Sequence, residues 1–176
     1  MKIAVLGHSQ TRYLNFDRFR VRKFFKAGAT FKSILNTVFF QQLVDYKPDL
    51  IFLLLGSNDI KETNNNSTVN NIIYDYLNLK EEILNRIRPT RGIYLLDIEK
   101  RTKDNKYSSN IIYRKVRNSL IKNIKKKDKE YYIPYRPVSG LLDSDIGPDG
   151  VHVNERGAKK IVRAIQNKIE EILSKN

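Results

Sequence analysis

The sequence contains no cysteine and no tryptophan, and it has only two histidines among its 176 residues. Without cysteine, neither a disulfide framework nor thiolate chemistry is available, which suits a reducing compartment. No apolar run approaches the roughly 20 residues of a membrane-spanning helix. The opening segment Met1–Gly7 is too short for a signal peptide, and we interpret it as the start of a strand. We therefore expect an intracellular, cytoplasmic protein without a transmembrane segment.

The length and composition are those of one globular domain spanning residues 1–176. Hydrophobic residues make up 40% of the chain, which is enough to build a sizeable core at this length. There is no internal repeat, and the only low-complexity patch is the asparagine run at residues 64–66. Since no segment has the composition of a linker, the sequence predicts a single domain.

The chain carries a large excess of positive charge, with 33 Lys and Arg residues against 19 Asp and Glu residues and a net charge of +14. This balance favours polyanionic partners, namely nucleic acid or an anionic membrane, bound through the basic surface. A lysine-rich surface that is simply well solvated explains the same charge. No RNA-recognition, KH or zinc-finger signature accompanies the basic residues, so both interpretations stay open.

Short apolar runs alternate along the chain with longer segments of helical periodicity. The predicted strands occupy residues 3–6, 19–25, 50–55, 92–96 and 131–133. The predicted helices occupy residues 31–46, 69–87, 111–124 and 155–173, with Thr30 and Asn154 as candidate N-caps. This alternation is typical of an α/β fold with a parallel sheet, here of five strands. Basic and apolar residues alternate in the second strand, which predicts an edge strand with one solvated face.

Ser9 follows the first predicted strand, an apolar run that is interrupted at Gly7. In an open α/β sheet, ligands bind outside the carboxyl ends of the strands, which is where this hydroxyl is expected. A serine hydroxyl becomes a nucleophile only with a base, a group that orients the base, and donors for an oxyanion. A nucleophilic role for Ser9 therefore requires these three parts elsewhere in the chain.

His152 is the candidate base, and Asp149 is the candidate group that orients it. Both residues lie just before the last predicted helix, in a glycine-containing segment. On a tight turn, an Asp three residues before a His can accept a hydrogen bond from the imidazole Nδ1. Nε2 is then left to take a proton from Ser9. A chance Asp and His on a surface loop would show the same spacing, so this motif alone does not decide the question.

Asn58 and Gly28 are the candidate contributors to an oxyanion hole. Asn58 lies just past the most apolar run of the chain, so its side-chain NH2 can point into a crevice at the strand end. Gly28 follows the second predicted strand, where a glycine lets a ligand approach the backbone closely. The backbone N–H groups of Gly28 and Ser9 complete the predicted donor set. Asn58 and Asp59 are also common turn residues, and a plain turn is the alternative interpretation.

Four short motifs, in their order and spacing, resemble the sequence blocks of the SGNH (GDSL-like) hydrolases: Gly7-His8-Ser9, Gly28, Gly56-Ser57-Asn58-Asp59 and Asp149-Gly150-Val151-His152. The resemblance extends from residue 3 to the closing helix. It implies a flavodoxin-like three-layer α/β/α sandwich and ester hydrolysis without a metal or cofactor. It also implies that Ser9 is the nucleophile, His152 the base and Asp149 its orienting group. The oxyanion would be held by Ser9, Gly28 and Asn58.

One position departs from the family pattern, because His8 stands where these hydrolases usually carry Asp. Adjacent side chains diverge in an extended turn, so we interpret His8 as a residue that holds a loop rather than as the base. Gly-His-Ser is also similar to SGNH domains of some eukaryotic retroelements and viruses.

The sequence thus predicts a serine esterase, or acyl hydrolase, that acts through an acyl-enzyme on an ester substrate of open class. The alternative is a catalytically weak or silent SGNH scaffold. In that interpretation it binds nucleic acid or an anionic membrane as a module of a mobile-element or viral protein.

Overall fold

The computed structural model describes residues 1–60, 66–98, 115–122, 132–133 and 142–175. Parallel strands form one sheet: β1 (Ile3–Gly7), β2 (Val21–Phe25), β3 (Leu50–Leu54), β4 (Ile93–Leu96) and the two-residue β5 (Tyr132–Ile133). Their order across the sheet is β2-β1-β3-β4-β5. In this doubly wound order, the ligand crevice lies at the switch point between β1 and β3.

Four α-helices occur within the described residues: α1 (Val38–Tyr46), α2 (Asn66–Arg86), α3 (residues 115–122) and α4 (Glu155–Ser174). Helices α1, α2 and α3 bury their apolar residues against one face of the sheet, whereas α4 packs on the opposite face. The predicted three-layer α/β/α arrangement with a parallel sheet is thereby confirmed. No helix in the described part of the chain is long and apolar enough to cross a membrane.

Successive residues of β1 enter two separate hydrophobic cores. Ala4 and Leu6 belong to the core beneath the three-helix layer, while Ile3 and Val5 belong to the core beneath α4. Every residue of β1 and of β3 is buried, which explains why both strands are continuous apolar runs rather than alternating ones. By contrast, β2 lies at the edge of the sheet and has only one fully buried residue, as its mixed sequence predicted.

The helix predicted over residues 31–46 is interrupted. A 3-10 turn at Ser33–Asn36 precedes α1, and Thr37 between them has extended backbone angles. The Thr37 hydroxyl donates to the Ile34 carbonyl at 2.7 Å and accepts the Phe40 N–H at 3.2 Å. Such local bonding by threonine competes with helical hydrogen bonds, so Thr37 ends one segment and caps the next.

The predicted cap Thr30 makes a cap-type bond at the start of the first segment, where its hydroxyl accepts the Ser33 N–H at 3.0 Å, whereas α1 itself is capped by Thr37. The predicted cap Asn154 is confirmed, since its Oδ1 accepts the Gly157 N–H at 3.1 Å and α4 begins at Glu155. Of the predicted helix at residues 111–124, the structure describes 115–122. Of the predicted strand at residues 131–133, it describes 132–133. The remaining residues of both lie outside the described parts.

Candidate active site

Three of the predicted site residues lie just past the carboxyl ends of neighbouring strands. Ser9 follows β1, Gly28 follows β2, and Asn58 follows β3. Because β1 pairs in parallel with both β2 and β3, these three positions share one edge of the sheet. Ser9 and Asn58 flank the switch point, where this strand order leaves a crevice.

The fold brings Ser9, His152 and Asp149 into a line of contacts, although 143 residues separate the first two. Ser9 Oγ lies 3.0 Å from His152 Nε2, and His152 Nδ1 lies 2.6 Å from Asp149 Oδ2. An ionised carboxylate only accepts hydrogen bonds, so the imidazole proton sits on Nδ1 and Nε2 keeps its lone pair. In this tautomer, Nε2 accepts the hydrogen bond from the Ser9 hydroxyl.

A tight turn places the Asp149 carboxylate within hydrogen-bond distance of the His152 imidazole. Gly150 donates its N–H to the Gly147 carbonyl at 2.9 Å, and Gly150 has a φ of 69°, a left-handed conformation that favours glycine. Asp149 Oδ1 accepts the backbone N–H groups of Val151 and His152, both at 2.9 Å. One carboxylate oxygen therefore shapes the loop, while the other holds the His152 ring.

The same hydrogen bonds keep Asp149 ionised. Partial burial works to raise the pKa of Asp149, but the imidazole and the N–H groups of Val151 and His152 lower it to about 2. The side chain of Asp149 remains half exposed, so water screens part of this effect. At neutral pH the carboxylate is fully charged and available to stabilise an imidazolium.

Gln10 holds the backbone on both sides of His152, a role that the sequence alone did not indicate. Its Nε2 donates to the Val151 carbonyl at 2.8 Å, and its Oε1 accepts the Val153 N–H at 3.0 Å. Gln10 is 1% exposed, so these two bonds replace contacts with water. The only available sequence signal was its position directly after Ser9, at the end of an apolar strand.

An ionic cluster around the buried Asp145 lies before Asp149, at the other end of the segment that leads to His152. Asp145 is 0% exposed and contacts Arg156 at 2.5 Å and Lys160 at 2.6 Å, both from α4. Burial opposes ionisation of Asp145, but these two cations and the Leu142 N–H lower its pKa to about 2. The Asp145 carbonyl also accepts the Asn154 N–H at 2.8 Å. The segment that carries His152 is thus tied to α4.

His8 is buried and joins two loops at the strand ends. Its Nδ1 accepts the Gln10 N–H at 3.4 Å, and its Nε2 lies 3.0 Å from Ser57 Oγ. An accepting Nδ1 requires the hydrogen on Nε2, so His8 is neutral here and donates to Ser57. These contacts agree with the interpretation of His8 as a loop-holding residue.

The loops after β2 and β3 are bound to each other around Gly28 and Asn58. Asn58 Nδ2 donates to the Ala29 carbonyl at 3.1 Å, and both Asp59 carboxylate oxygens accept the Phe31 N–H, at 3.1 and 3.3 Å. Gly28 has a φ of 72°, and a Cβ added there would meet no atom within 4 Å. Asp59 thus shapes the turn that carries Gly28, and Gly28 faces open space.

The predicted donors of an oxyanion hole are gathered at this strand edge. Among the described residues, the Ser9 and Gly28 backbone N–H groups have no hydrogen-bond partner. Asn58, the third predicted donor, follows β3 and donates from its side-chain amide to the Ala29 carbonyl. The three predicted donors therefore lie at the carboxyl ends of three neighbouring strands.

Comparisons with family models and solved structures relate this chain to acylhydrolases. The family model described as GDSL-like Lipase/Acylhydrolase matches residues 5–165. A putative acylhydrolase from Bacteroides fragilis is 17% identical with a TM-score of 0.76, over 98% of this chain and 88% of that one. A search of curated protein sequences finds no significant match.

Two further solved structures share the fold along nearly their whole length. The psychrotrophic esterase EstA from a Pseudoalteromonas species is 14% identical, with a TM-score of 0.69 over 98% of both chains. An acetylxylan esterase from Geobacillus stearothermophilus is 15% identical, with a TM-score of 0.66 over 96% of this chain and 93% of that one. At such identities the structures establish a common fold.

Proposed function

Because the chain belongs to the GDSL-like lipase/acylhydrolase family, we propose that it is a serine hydrolase that cleaves carboxylic esters through an acyl-enzyme on Ser9. The observation that carries this proposal is the continuous contact from Ser9 Oγ to His152 Nε2 and from His152 Nδ1 to Asp149. A silent scaffold that serves only as a binding module would have no need of this contact. The similar structures include an esterase and an acetylxylan esterase, which supports an ester as the bond that is cleaved.

Acylation begins when Ser9 Oγ attacks the ester carbonyl carbon. The hydroxyl proton passes to His152 Nε2, 3.0 Å away, while the carbonyl electron pair moves onto oxygen. The resulting imidazolium is stabilised by the Asp149 carboxylate, 2.6 Å from Nδ1. The tetrahedral intermediate then collapses, the bond to the leaving alcohol breaks, and His152 returns the proton to that alcohol.

Deacylation repeats these steps with water in place of the serine. His152 Nε2 takes a proton from the attacking water, which adds to the acyl carbonyl. Collapse of the second intermediate breaks the bond to Ser9 Oγ, which recovers its proton from His152. The products are a carboxylic acid and an alcohol, and the enzyme returns to its starting state.

The oxyanion of both intermediates is assigned to three donors, namely the backbone N–H groups of Ser9 and Gly28 and the side-chain NH2 of Asn58. Their common position at the carboxyl ends of β1, β2 and β3 supports the assignment. Donors that are already in place when charge develops stabilise the transition state without a cost of reorganisation. Asp59 and the Asn58–Ala29 hydrogen bond supply that rigidity.

Hydrolysis of p-nitrophenyl acetate and p-nitrophenyl butyrate, with labelling by a fluorophosphonate probe in parallel, tests this function. Turnover and labelling should disappear in Ser9→Ala and persist in Ser174→Ala, a matched substitution at the far end of α4. Both variants should unfold at the temperature of the wild type. Folded wild-type protein that neither turns over nor labels, or a Ser9→Ala variant that does both, would refute the proposal.

A further inference from the structure

A groove of about 860 Å³ runs beside the candidate active site, between the loop after Ser9 and the first half of α4. Its floor consists of α4 residues that are only 6–7% exposed, namely Ala158, Val162 and Gln166. This volume lies within the range of about 300–1,000 Å³ that is usual for small-molecule sites. The groove therefore has the size and shape of a ligand site.

The groove begins next to the proposed base. Tyr13 lines it, and the Tyr13 ring stands edge-on to the His152 ring with 6.0 Å between the centroids. Val153, the residue after His152, lines it as well. A substrate whose ester reaches Ser9 can therefore extend past Tyr13 into the groove.

The charged side chains that line the groove are four cations and two carboxylates: Arg12, Arg18, Lys159, Arg163, Asp17 and Glu155. Lys159 pairs with Glu155 at 2.6 Å, and Arg18 pairs with Glu170 outside the groove at 2.5 Å. Asp17 accepts the Gln166 amide at 2.7 Å. In the part of the chain that the structure describes, neither Arg12 nor Arg163 has a carboxylate within ion-pair distance.

Both free guanidinium groups are attached to well-held backbone. Lys23 Nζ donates to the carbonyls of Arg12 and Leu14, at 3.2 and 2.8 Å, and thereby fixes the end of the 3-10 helix Ser9–Tyr13 that carries Arg12. Arg163 lies about two helical turns after Glu155 on α4, and both residues line the groove. The two arginines therefore line one groove, Arg12 from the segment after Ser9 and Arg163 from α4, and a guanidinium is the group that best matches a carboxylate or a phosphate.

We propose that this groove, hereafter the cationic groove, binds an anionic group of the substrate, so that the enzyme prefers esters that carry a carboxylate or a phosphate. The proposal rests on the proposed function of Ser9. It assigns part of the excess positive charge to substrate recognition, with Arg12 and Arg163 as the recognising residues. A neutral ester of the same acyl group would lack this interaction.

Three acetate esters of differing charge test the preference: methyl 4-acetoxybenzoate, 4-acetoxybenzoate and 4-acetoxyphenyl phosphate. The measured quantity is the ratio of kcat/KM for each anionic ester to kcat/KM for the neutral ester. The double variant Arg12→Gln/Arg163→Gln should lower this ratio about fivefold, because each exposed charge contact contributes modestly. The two anionic esters distinguish a carboxylate preference from a phosphate preference.

The matched control is Lys47→Gln/Arg88→Gln, which removes the same charge at the amino-terminal edge of the sheet. Both control residues are exposed and lie in the loops that precede β3 and β4. The control should leave the ratio within twofold of wild type. Equal decreases of this ratio in the two double variants would mean that the overall positive charge of the protein attracts the anionic esters. That result would overturn the cationic groove as a site.

A direct binding measurement tests the cationic groove independently of the proposed hydrolase function. If folded wild type hydrolyses none of the esters, the proposed function has failed, and the groove is then judged by NMR titration with phenyl phosphate. Amide shifts should cluster at Arg12, Tyr13 and Asn154 and disappear in the groove variant but not in the control variant. Shifts that are scattered over the surface, or that are equal in both variants, would overturn the proposal.

Discussion

Replacing Gln10 by methionine tests whether the hydrogen bonds of the Gln10 side chain stabilise the loop that carries His152. Methionine keeps the length and most of the volume of the side chain but has no amide. The Val153 N–H and the Val151 carbonyl then lose their partners, at 3.0 and 2.8 Å. Val153 is 5% exposed, so water cannot easily replace the lost acceptor.

The expected loss of stability follows from these two unpaired backbone groups. A buried polar group without a partner costs about 1–3 kcal/mol, and the partly exposed Val151 carbonyl belongs at the lower end of that range. The free energy of unfolding should therefore fall by about 2–4 kcal/mol. Because a displacement of about 1 Å at a catalytic group can cost on the order of 100-fold in rate, kcat should fall about 10- to 100-fold.

Urea unfolding and p-nitrophenyl acetate kinetics measure the two effects, with Gln42→Met on the exposed surface of α1 as control. The control should change the free energy of unfolding by less than about 0.5 kcal/mol. Gln10→Glu should regain stability relative to Gln10→Met as the pH falls, because a protonated carboxyl both accepts and donates. A Gln10→Met variant with wild-type stability and kcat would refute the reasoning.

Three further outcomes are expected. Asn58→Ala should lower kcat by about 100-fold if its amide holds the oxyanion, and a kcat within threefold of wild type would exclude that role. Gly7→Ala should lower the free energy of unfolding by about 1–3 kcal/mol in urea titrations, because its Cβ would lie 2.8 Å from the Leu54 carbonyl oxygen; an unchanged midpoint would contradict this. Since folding lowers the pKa of Asp149 from 3.8 to about 2, its ionisation stabilises the fold above pH 3.8, and this contribution is lost as the pH falls through 2. The stability difference between wild type and Asp149→Asn should therefore shrink between pH 5 and pH 2, and a pH-independent difference would argue against the hydrogen bonds assigned to this carboxylate.

Much of the fold was predictable because its signals are local. Buried parallel strands are covered on both faces, so β1 and β3 appear as uninterrupted apolar runs. The edge position of β2 was predictable because basic and apolar residues are mixed there, although the strict alternation lies mostly before the strand, which begins at Val21. Asn154 could be identified as a cap because capping depends on the three residues that follow it.

The interruption before α1 was not predictable from periodicity. Ile34 and Phe40 are both buried in the same core, so the apolar pattern continues through the break at Thr37. The deciding factor is a hydroxyl that bonds to the backbone in both directions, and threonine has this option at many positions where it does not use it.

The sequence by itself determined the α/β class, the family resemblance and the identities of Ser9, His152 and Asp149 as candidates, because each depends on residue type and short spacing. Tertiary structure alone decided that Gln10 hydrogen-bonds the backbone on both sides of His152, because these bonds join residues that are 141 and 143 positions apart in the sequence. It also decided that Arg12 and Arg163 face one groove beside Tyr13. The physical reason is that composition sets the amount of charge, whereas only chain folding sets which charges lack a partner and which cavity they line.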